Sequence, residues 1–414
     1  MENRIPTLMK YISKAQDALV RWKNSTVFLI FHDDADGVTS ASILKALLTE
    51  LNFDIHEVCL EKAYPYALEI IHREAAGGIV IYADIGSPHA KLIQKLNKDS
   101  LVIILDHHDA PRFFAENIYN INPEFFGFSG EREVSGSTIS YIFAKHVKDD
   151  MKKYSKLALI GSYEIPGPIR GLNEIPLSDA LKANLAKIRG ESVLIETPRG
   201  YLGRSTLSRI LTILSSVGYY NNGPKVAVEG CLADFPDEVF DRAKTFEKMR
   251  SVANKKLLKI IQREGLELTE YVQWFKDRGV FKGMGTKVIG TFCSYLTYRS
   301  RIVDQMKYLV GFMNVLPEIP GLGKLSGELV KFSIRVPKRL QKTIDRGEYP
   351  PASNIAVDAA SRLDGFADGH AYAASGVIPE NKENMLIKEM NKLIADWKRG
   401  SGKSGRKSSI TDFL

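Results

Sequence analysis

The sequence predicts an α/β protein with a parallel-sheet N-terminal domain, a long connecting helix and a smaller C-terminal α/β domain. Three observations carry that expectation. From residue 27 to about 125, short β-rich apolar runs alternate with amphipathic stretches of helical length, as strands joined by crossover helices do. Residues 236–265 are long, charged and periodic, and read as a helix between two domains. Beyond them, apolar runs of strand length return at 286–290, 307–311 and 329–336.

Taken in order, the first strands are VFLIF at 27–31, EVCL at 57–60, GIVIYADI at 78–85 and LVIIL at 101–105. Each is too continuously apolar to face water on one side, as strands of a covered parallel sheet are. Helices at about 38–50, 66–75 and 88–97 supply the crossovers that parallel strands need. Residues from about 135 to 225 read as mainly helical, with a polar Gly- and Pro-containing section at 161–178. A last helix at about 380–398 sets Leu386, Met390, Leu393 and Trp397 at helical spacing, which is most simply a packed face. After Arg399 the chain turns to SGKSGRKSSITDFL, the composition of a flexible tether. The domain boundaries expected are therefore 1–235, 236–265, 266–398 and a tail at 399–414.

Composition narrows the class. The 414 residues exceed a single domain of roughly 150, and 44% hydrophobic with 26% charged residues is ordinary globular usage. The net charge of +8 is compatible with a polyanionic partner, but five of the basic residues lie in the last 17, so the body is only mildly basic. Cys59, Cys231 and Cys293 are far apart, which supports neither a disulfide framework nor a zinc module and fits a reducing, cytoplasmic setting. No apolar run has the length of a signal peptide core or a membrane span.

Three of the strands run directly into acidic clusters. VFLIF is followed by His32, Asp33, Asp34 and Asp36, GIVIYA by Asp84, and LVIIL by Asp106, His107 and His108. Ligands of open parallel sheets sit outside the carboxyl ends of the strands, so these clusters are expected to converge in one crevice. An Asp-x-Asp-Gly turn alone often merely caps a helix, whereas adjacent histidines after a buried strand have few structural uses. Hard carboxylate oxygens with imidazole suit two Mn²⁺ or Mg²⁺ ions about 4 Å apart, an arrangement that activates water and stabilises a leaving oxygen in phosphodiester hydrolysis. Asp33 reads as a solvated turn residue.

The order Asp34-x-Asp36-Gly37, Asp84, Asp106-His107-His108 resembles the first three motifs of the DHH phosphoesterase superfamily. Near the other end, Gly369-His370-Ala371-Tyr372-Ala373-Ala374-Ser375-Gly376 resembles the signature of the DHH-associated domain, and Lys331, Ser333 and Arg335 lie in a strand similar to the one preceding it. Within the superfamily the length and the DADG form are most similar to archaeal RecJ-like single-strand exonucleases. The resemblance implies that Asp34 and Asp36 each hold a different metal, that Asp84 bridges both and that His107 is a ligand. It further implies that Asp106 and His108 orient the site and contact the scissile phosphate as catalytic groups. Arg335, His370 and Gly369 would bind the nucleic-acid backbone or terminal phosphate. His32 is a further candidate ligand, set against the simpler reading of a solvent-facing histidine.

The chain also departs from the pattern. Where the family supplies a fourth-motif aspartate after a segment like Ala158-Leu159-Ile160-Gly161, Ile165 stands at the expected position, and Glu164 is the candidate replacement. Asp368 replaces a family glycine and Ser375 is inserted before Gly376. Lys338, Arg339, Lys342 and Arg362 are candidate backbone contacts beside Arg335, while Lys152, Lys153 and Lys156 read as a solvated face. The aromatic residues that stack bases are not identifiable at this level.

The tail Lys407-Ser408-Ser409-Ile410-Thr411-Asp412-Phe413-Leu414 resembles the clamp-binding peptide of replication and repair proteins, with Ile410, Phe413 and Leu414 as apolar anchors, Lys407 where Gln is usual and Leu414 where a second aromatic is common. The function implied is a metal-dependent exonuclease acting on single-stranded DNA or RNA, with a sliding clamp (PCNA) and a helicase or GINS-like replisome component as partners. Two alternatives stand beside it: a catalytically weak or inactive RecJ-like replisome scaffold, and a phosphodiesterase for dinucleotides or short oligonucleotides.

Overall fold

The computed structural model describes residues 4–23, 25–325 and 327–401; Ile410, Phe413 and Leu414 lie outside them. The chain divides into two compact units, one formed by residues 1–248 with 283–285 and 318–325, the other by 249–282, 286–317 and 326–414. Among the described residues no helix is long and apolar enough to cross a membrane.

The first unit begins with α1 (Arg4–Arg21) and continues through β1 (Thr26–His32), α2 (Ala35–Glu50), β2 (Asp54–Leu60), α3 (Pro65–Glu74), β3 (Ile79–Ala83), α4 (Ala90–Leu96), β4 (Leu101–Leu105) and β5 (Ile118–Ile121). The strands form one sheet of order β2-β1-β3-β4-β5, with every neighbouring pair parallel. Every residue of β3 and β4 is buried, which is what their unbroken apolar runs demand. The chain leaves β1 to one side for β2 and returns on the other for β3, so the strand order reverses between β1 and β3. A crevice opens at the carboxyl ends of the strands at such a reversal.

The rest of this unit contains α5 (Gly136–Val147), α6 (Ser155–Gly161), α7 (Glu174–Lys182), β6 (Ala186–Arg189), β7 (Ser192–Thr197), β8 (Gly200–Gly203), α8 (Arg204–Thr212) and α9 (Gly223–Leu232). The stretch from about 135 to 225 is mainly helical, as expected, but a three-stranded antiparallel sheet β6-β7-β8, not anticipated from sequence, interrupts it. Its β7 alternates buried side chains with exposed or half-buried ones, a period-two pattern within SVLIET that short length concealed. A π-helical turn, Ile213–Val217, follows α8.

The helix α10 (Asp237–Glu264) spans the region read as a connecting helix, and the division between the units falls inside it. Next come β9 (Glu267–Leu268), β10 (Val272–Lys276), α11 (Lys287–Thr297), β11 (Tyr308–Val315), the ribbon β12–β13 (Glu318–Ile319 and Gly323–Lys324), β14 (Leu329–Arg335), α12 (Lys338–Asp345), α13 (Ala352–Ser361), β15 (Phe366–Gly369), β16 (Ala373–Pro379) and α14 (Glu383–Ser401). The second unit is built on a six-stranded sheet of order β15-β16-β14-β11-β10-β9, with only β10 and β11 parallel. Residues 286–290, read as a strand, are instead the start of α11. The buried positions Val288, Ile289, Phe292, Cys293 and Leu296 recur at helical spacing, and that period overrides the β-branched pair Val288-Ile289. In α14, Leu386 and Met390 are fully buried and Trp397 donates to the Gly347 carbonyl at 3.0 Å, so the apolar stripe is a packed face. The three cysteines are buried free thiols.

Candidate metal centre

β1, β3 and β4 end side by side, and each delivers acidic or imidazole groups as it ends. Asp34 is the N-cap of α2, its carboxylate accepting from the Gly37 N–H at 3.2 Å. Gly37 is required there, because a Cβ would lie 2.3 Å from the His32 carbonyl oxygen. Asp84, just past β3, holds a left-handed backbone at φ 61°, a conformation aspartate tolerates better than most residues. Its carboxylate packs against Gly136, where a Cβ would sit 2.4 Å from Asp84 Oδ1. Asp106 follows β4 directly and is fully buried.

Two groups of ligand-type atoms, each within 4.8 Å, share Asp84: His32, Asp34 and Asp84, and Asp84, His107 and His108. His32 Nδ1 is 2.8 Å from Asp34 Oδ2 and 3.6 Å from Asp84 Oδ2. His32 is therefore turned into the cluster, with a fifth of its side chain accessible, which corrects the simpler reading of a solvent-facing ring. Asp33 is buried rather than solvated: its Oδ1 is 3.3 Å from His32 Nε2 and its backbone carbonyl accepts from Ser215 Oγ.

The histidine tautomers follow from their partners. His107 Nδ1 donates to the Gly130 carbonyl at 2.8 Å, leaving Nε2 3.3 Å from Asp84 Oδ1 and 3.6 Å from Asp36 Oδ2. His108 Nδ1 donates to Asp106 Oδ1 at 2.7 Å. Anchoring one ring nitrogen so that the other offers a lone pair is how proteins present imidazole to a metal. Asp106 itself accepts from the backbone N–H groups of Ser87, His107 and His108.

The electrostatics reflect five carboxylates facing three imidazoles. Burial and then the Asp84 charge push the Asp36 carboxyl up to about 7. Burial opposes protonation of His107, yet Asp84 and Asp36 raise it to about 10. Burial likewise opposes and Asp106 favours the charged form of His108, for a net rise, while Asp106 is held well below the usual carboxylate range by His108, His107 and its N–H donors despite burial. A buried cluster that retains protons near neutrality is one whose charge a divalent cation would neutralise, and oxygen with imidazole donors suit Mn²⁺ or Mg²⁺. The donor set fits such ions.

Several supporting residues had not been singled out from sequence. Asp36 Oδ2 and Oδ1 accept from the backbone N–H groups of Gly136 and Ser137 at 2.8 Å each, at the N-terminus of α5, where negative charge is favoured. The signal was Ser135-Gly136-Ser137-Thr138, a helix-start pattern whose N-cap Ser135 accepts from Thr138 N–H. Gly161 must stay small, since a Cβ would be 2.7 Å from Asp36 Oδ1. Glu124 Oε1 accepts from the Gly130 N–H at 3.0 Å, bracing the peptide that holds His107. Asn122 donates to Ser87 Oγ and to the His108 carbonyl.

Glu164 stands outside both ligand groups. It is exposed, and Oε1 accepts from Ser208 Oγ at 3.3 Å and Thr212 Oγ1 at 3.2 Å. Thr212 Oγ1 in turn accepts from the Ala35 N–H at 3.1 Å, so Glu164 is linked to the Asp34–Asp36 turn through a hydroxyl. Ile165 is buried. Lys152, Lys153 and Lys156 pair with Asp149, Glu50 and Asp234.

In the second unit, Arg335 donates to Ser294 Oγ, Ser333 Oγ and the Ile334 carbonyl, at 2.9 Å each. Its register partner on β16 is Ala373, which puts it at the same end of the sheet as the β15–β16 turn carrying His370. His370 is exposed, and its N–H closes the turn onto the Ala373 carbonyl at 2.7 Å. Gly369, at φ 150°, admits no Cβ, which would fall 2.4 Å from Ala374 Cα. The inserted Ser375 simply pairs with Ser333 and Asp368 in the ladder. Lys338, Arg339 and Lys342 are exposed, and Arg362 pairs with Glu389 at 2.7 Å.

Residues 26–162 match the model of the DHH family, N-terminal domain. An uncharacterized protein of Methanocaldococcus jannaschii is 23% identical over 427 residues, which cover 90% of this chain and 94% of the relative. RecJ of Thermus thermophilus, solved in complex with Mn²⁺, has a TM-score of 0.62 at 15% identity over 94% of this chain, while this chain spans only 55% of that RecJ. CDC45 of Entamoeba histolytica has a TM-score of 0.53 at 10% identity, covering 93% of this chain and 99% of its own. At these identities the likeness is one of fold.

Proposed function

Starting from a DHH-family N-terminal domain at residues 26–162, we propose that this chain is a metal-dependent phosphodiesterase that degrades single-stranded DNA or RNA from an end. The observation that carries the reading is Asp84, shared by two ligand-type groups at the strand ends. Asp34, Asp36, Asp84, His107 and His32 would hold two Mn²⁺ or Mg²⁺ ions. Such ions activate the attacking water and stabilise charge on the phosphate and the leaving oxygen.

The chain's own groups act around them. His107 is fixed by the Gly130 carbonyl, so its Nε2 cannot turn from the cluster. His108, whose charged form Asp106 favours against the opposing effect of burial and whose side chain is nearly half accessible, offers a donor to a phosphate oxygen. Asp106, which accepts from His108 Nδ1 and from the backbone N–H groups of Ser87, His107 and His108, orients His108 toward the scissile phosphate. Residues 266–398 are proposed as the substrate-binding domain, with Arg335, His370 and Gly369 contacting the strand, and the tail as the tether to a sliding clamp (PCNA) or replisome partner.

A second reading, a replisome scaffold of weak activity, is favoured by Glu164 lying outside both groups. End-labelled single-stranded DNA and RNA of several lengths, incubated with Mn²⁺, Mg²⁺ or EDTA, test the proposal. A ladder that requires metal and Asp84 supports the exonuclease, and cleavage confined to the shortest strands supports a short-oligonucleotide phosphodiesterase. Metal binding without cleavage of any strand would overturn the enzyme in favour of the scaffold.

A further inference from the structure

We propose that the C-terminal tip of α11 in the second unit, formed by Tyr295, Tyr298, Arg299 and Arg301, is a base-stacking platform for single-stranded nucleic acid. This deepens the exonuclease reading and rests on it. Tyr298 is 82% exposed, the most exposed large hydrophobic side chain among the described residues, and Tyr295 is 39% exposed. Exposed tyrosine of this extent has no packing role. Arg299 lies 4.7 Å over the Tyr295 ring and donates to its hydroxyl, and Ser300 and Arg301 beside it are exposed.

The tip is rigid, which a stacking surface needs because ordering it on binding would cost affinity. Phe292, Leu296 and Val303 root it in the core, and the backbone turns back through Arg299 N–H to Leu296 and Val303 N–H to Arg299. Gln273, fully buried, holds the far end with its amide donating to the Asp304 carbonyl and accepting from the Asp304 N–H. Gln305 donates to the Thr297 and Val303 carbonyls. The carboxylate of the segment, Asp304, accepts from the Met306 N–H. Outward, the tip presents two aromatic rings and two arginines beside one exposed carboxylate, Asp304; rings with cations in excess are the combination that takes planar bases on a polyanionic backbone. Ser294, next to Tyr295, bonds Arg335, so the platform continues into the strand end where Arg335 stands.

The test measures binding by the full chain, in EDTA to prevent hydrolysis, of a fluorescein-labelled oligo-dT and of an abasic strand of equal length. Tyr298→Ala is expected to weaken oligo-dT binding about 10-fold and to leave the abasic strand unaffected, with Tyr298→Trp restoring affinity. Arg301→Gln should weaken both strands alike and lower the salt slope by about one. Unchanged oligo-dT affinity in Tyr298→Ala, or an equal loss on both strands, overturns the platform while leaving the exonuclease reading intact. Failure of the wild type to bind either strand overturns both.

Discussion

The strand ends of the first unit and the helix tip of the second handle polar groups in opposite ways. Asp33, Asp36, Asp84 and Asp106 are all but removed from solvent, whereas Tyr298, Arg299 and Arg301 stand in it. Burying several carboxylates is costly unless each is hydrogen-bonded or balanced by positive charge, so the first region must be built by the fold to within tenths of an ångström. The second needs only a rigid mount. Changes in the first region should therefore alter metal affinity, stability and turnover together, while changes in the second should alter strand affinity alone.

The largest expected effect comes from Asp84→Asn. Hydrolysis should fall by more than about 100-fold, the scale that even outer partners of a metal site carry, while oligo-dT binding in EDTA is retained. In the wild type, Mn²⁺ at 100 times its dissociation constant should stabilise the fold by about 2.7 kcal/mol, read as a rise in melting temperature that Asp84→Asn abolishes. An equal Mn²⁺ shift in both proteins would place the metal elsewhere.

Gly136→Ala should come next, because the added Cβ meets Asp84 Oδ1 at 2.4 Å. Overpacking of this kind costs about 1–3 kcal/mol, so the melting temperature and the Mn²⁺ shift should both drop. Wild-type values for the two would break the view that close packing sets the carboxylate.

Glu124→Ala removes the acceptor for the Gly130 N–H and loosens the peptide that holds His107. Activity should fall about 10-fold with higher Mn²⁺ demand, rescued in part by Glu124→Gln; activity loss without any change in Mn²⁺ dependence would make Glu124 merely structural.

An effect confined to acid pH, and absent near neutrality, concerns His72, buried against the Tyr82 hydroxyl at 3.0 Å and pushed down to about 4 by burial. The unfolded chain takes up this proton below its ordinary value near 6.5 and the folded chain does so only near 4. Stability should therefore fall as pH drops between those values, by at most about 3 kcal/mol. Urea melts of wild type and His72→Gln across pH 7 to 4 should converge toward the acid end, and parallel curves would rule the contribution out.

Much of this architecture was legible in the chain. The unbroken apolar runs of β1, β3 and β4 name buried parallel strands, and the acidic residues that end them name the crevice, because strand direction and side-chain chemistry are both local properties. The helix over 237–264 declares itself by period. The β6–β8 sheet and the helical start of α11 did not, since segments of four to six residues satisfy either period and their burial partners decide. Asp33, Gly136 and Glu124 were equally silent. Each matters through a contact with a residue many positions away, and spacing carries no record of such contacts. The sequence by itself determined which acidic and imidazole groups stand at the strand ends and that the carboxylates among them are hard oxygen donors. Only the tertiary structure decided that His32 turns inward, that Glu164 reaches the turn through Thr212 rather than joining a ligand group, and that Tyr298 is left bare. Those outcomes depend on distances across the packed interior, which no stretch of chain contains alone.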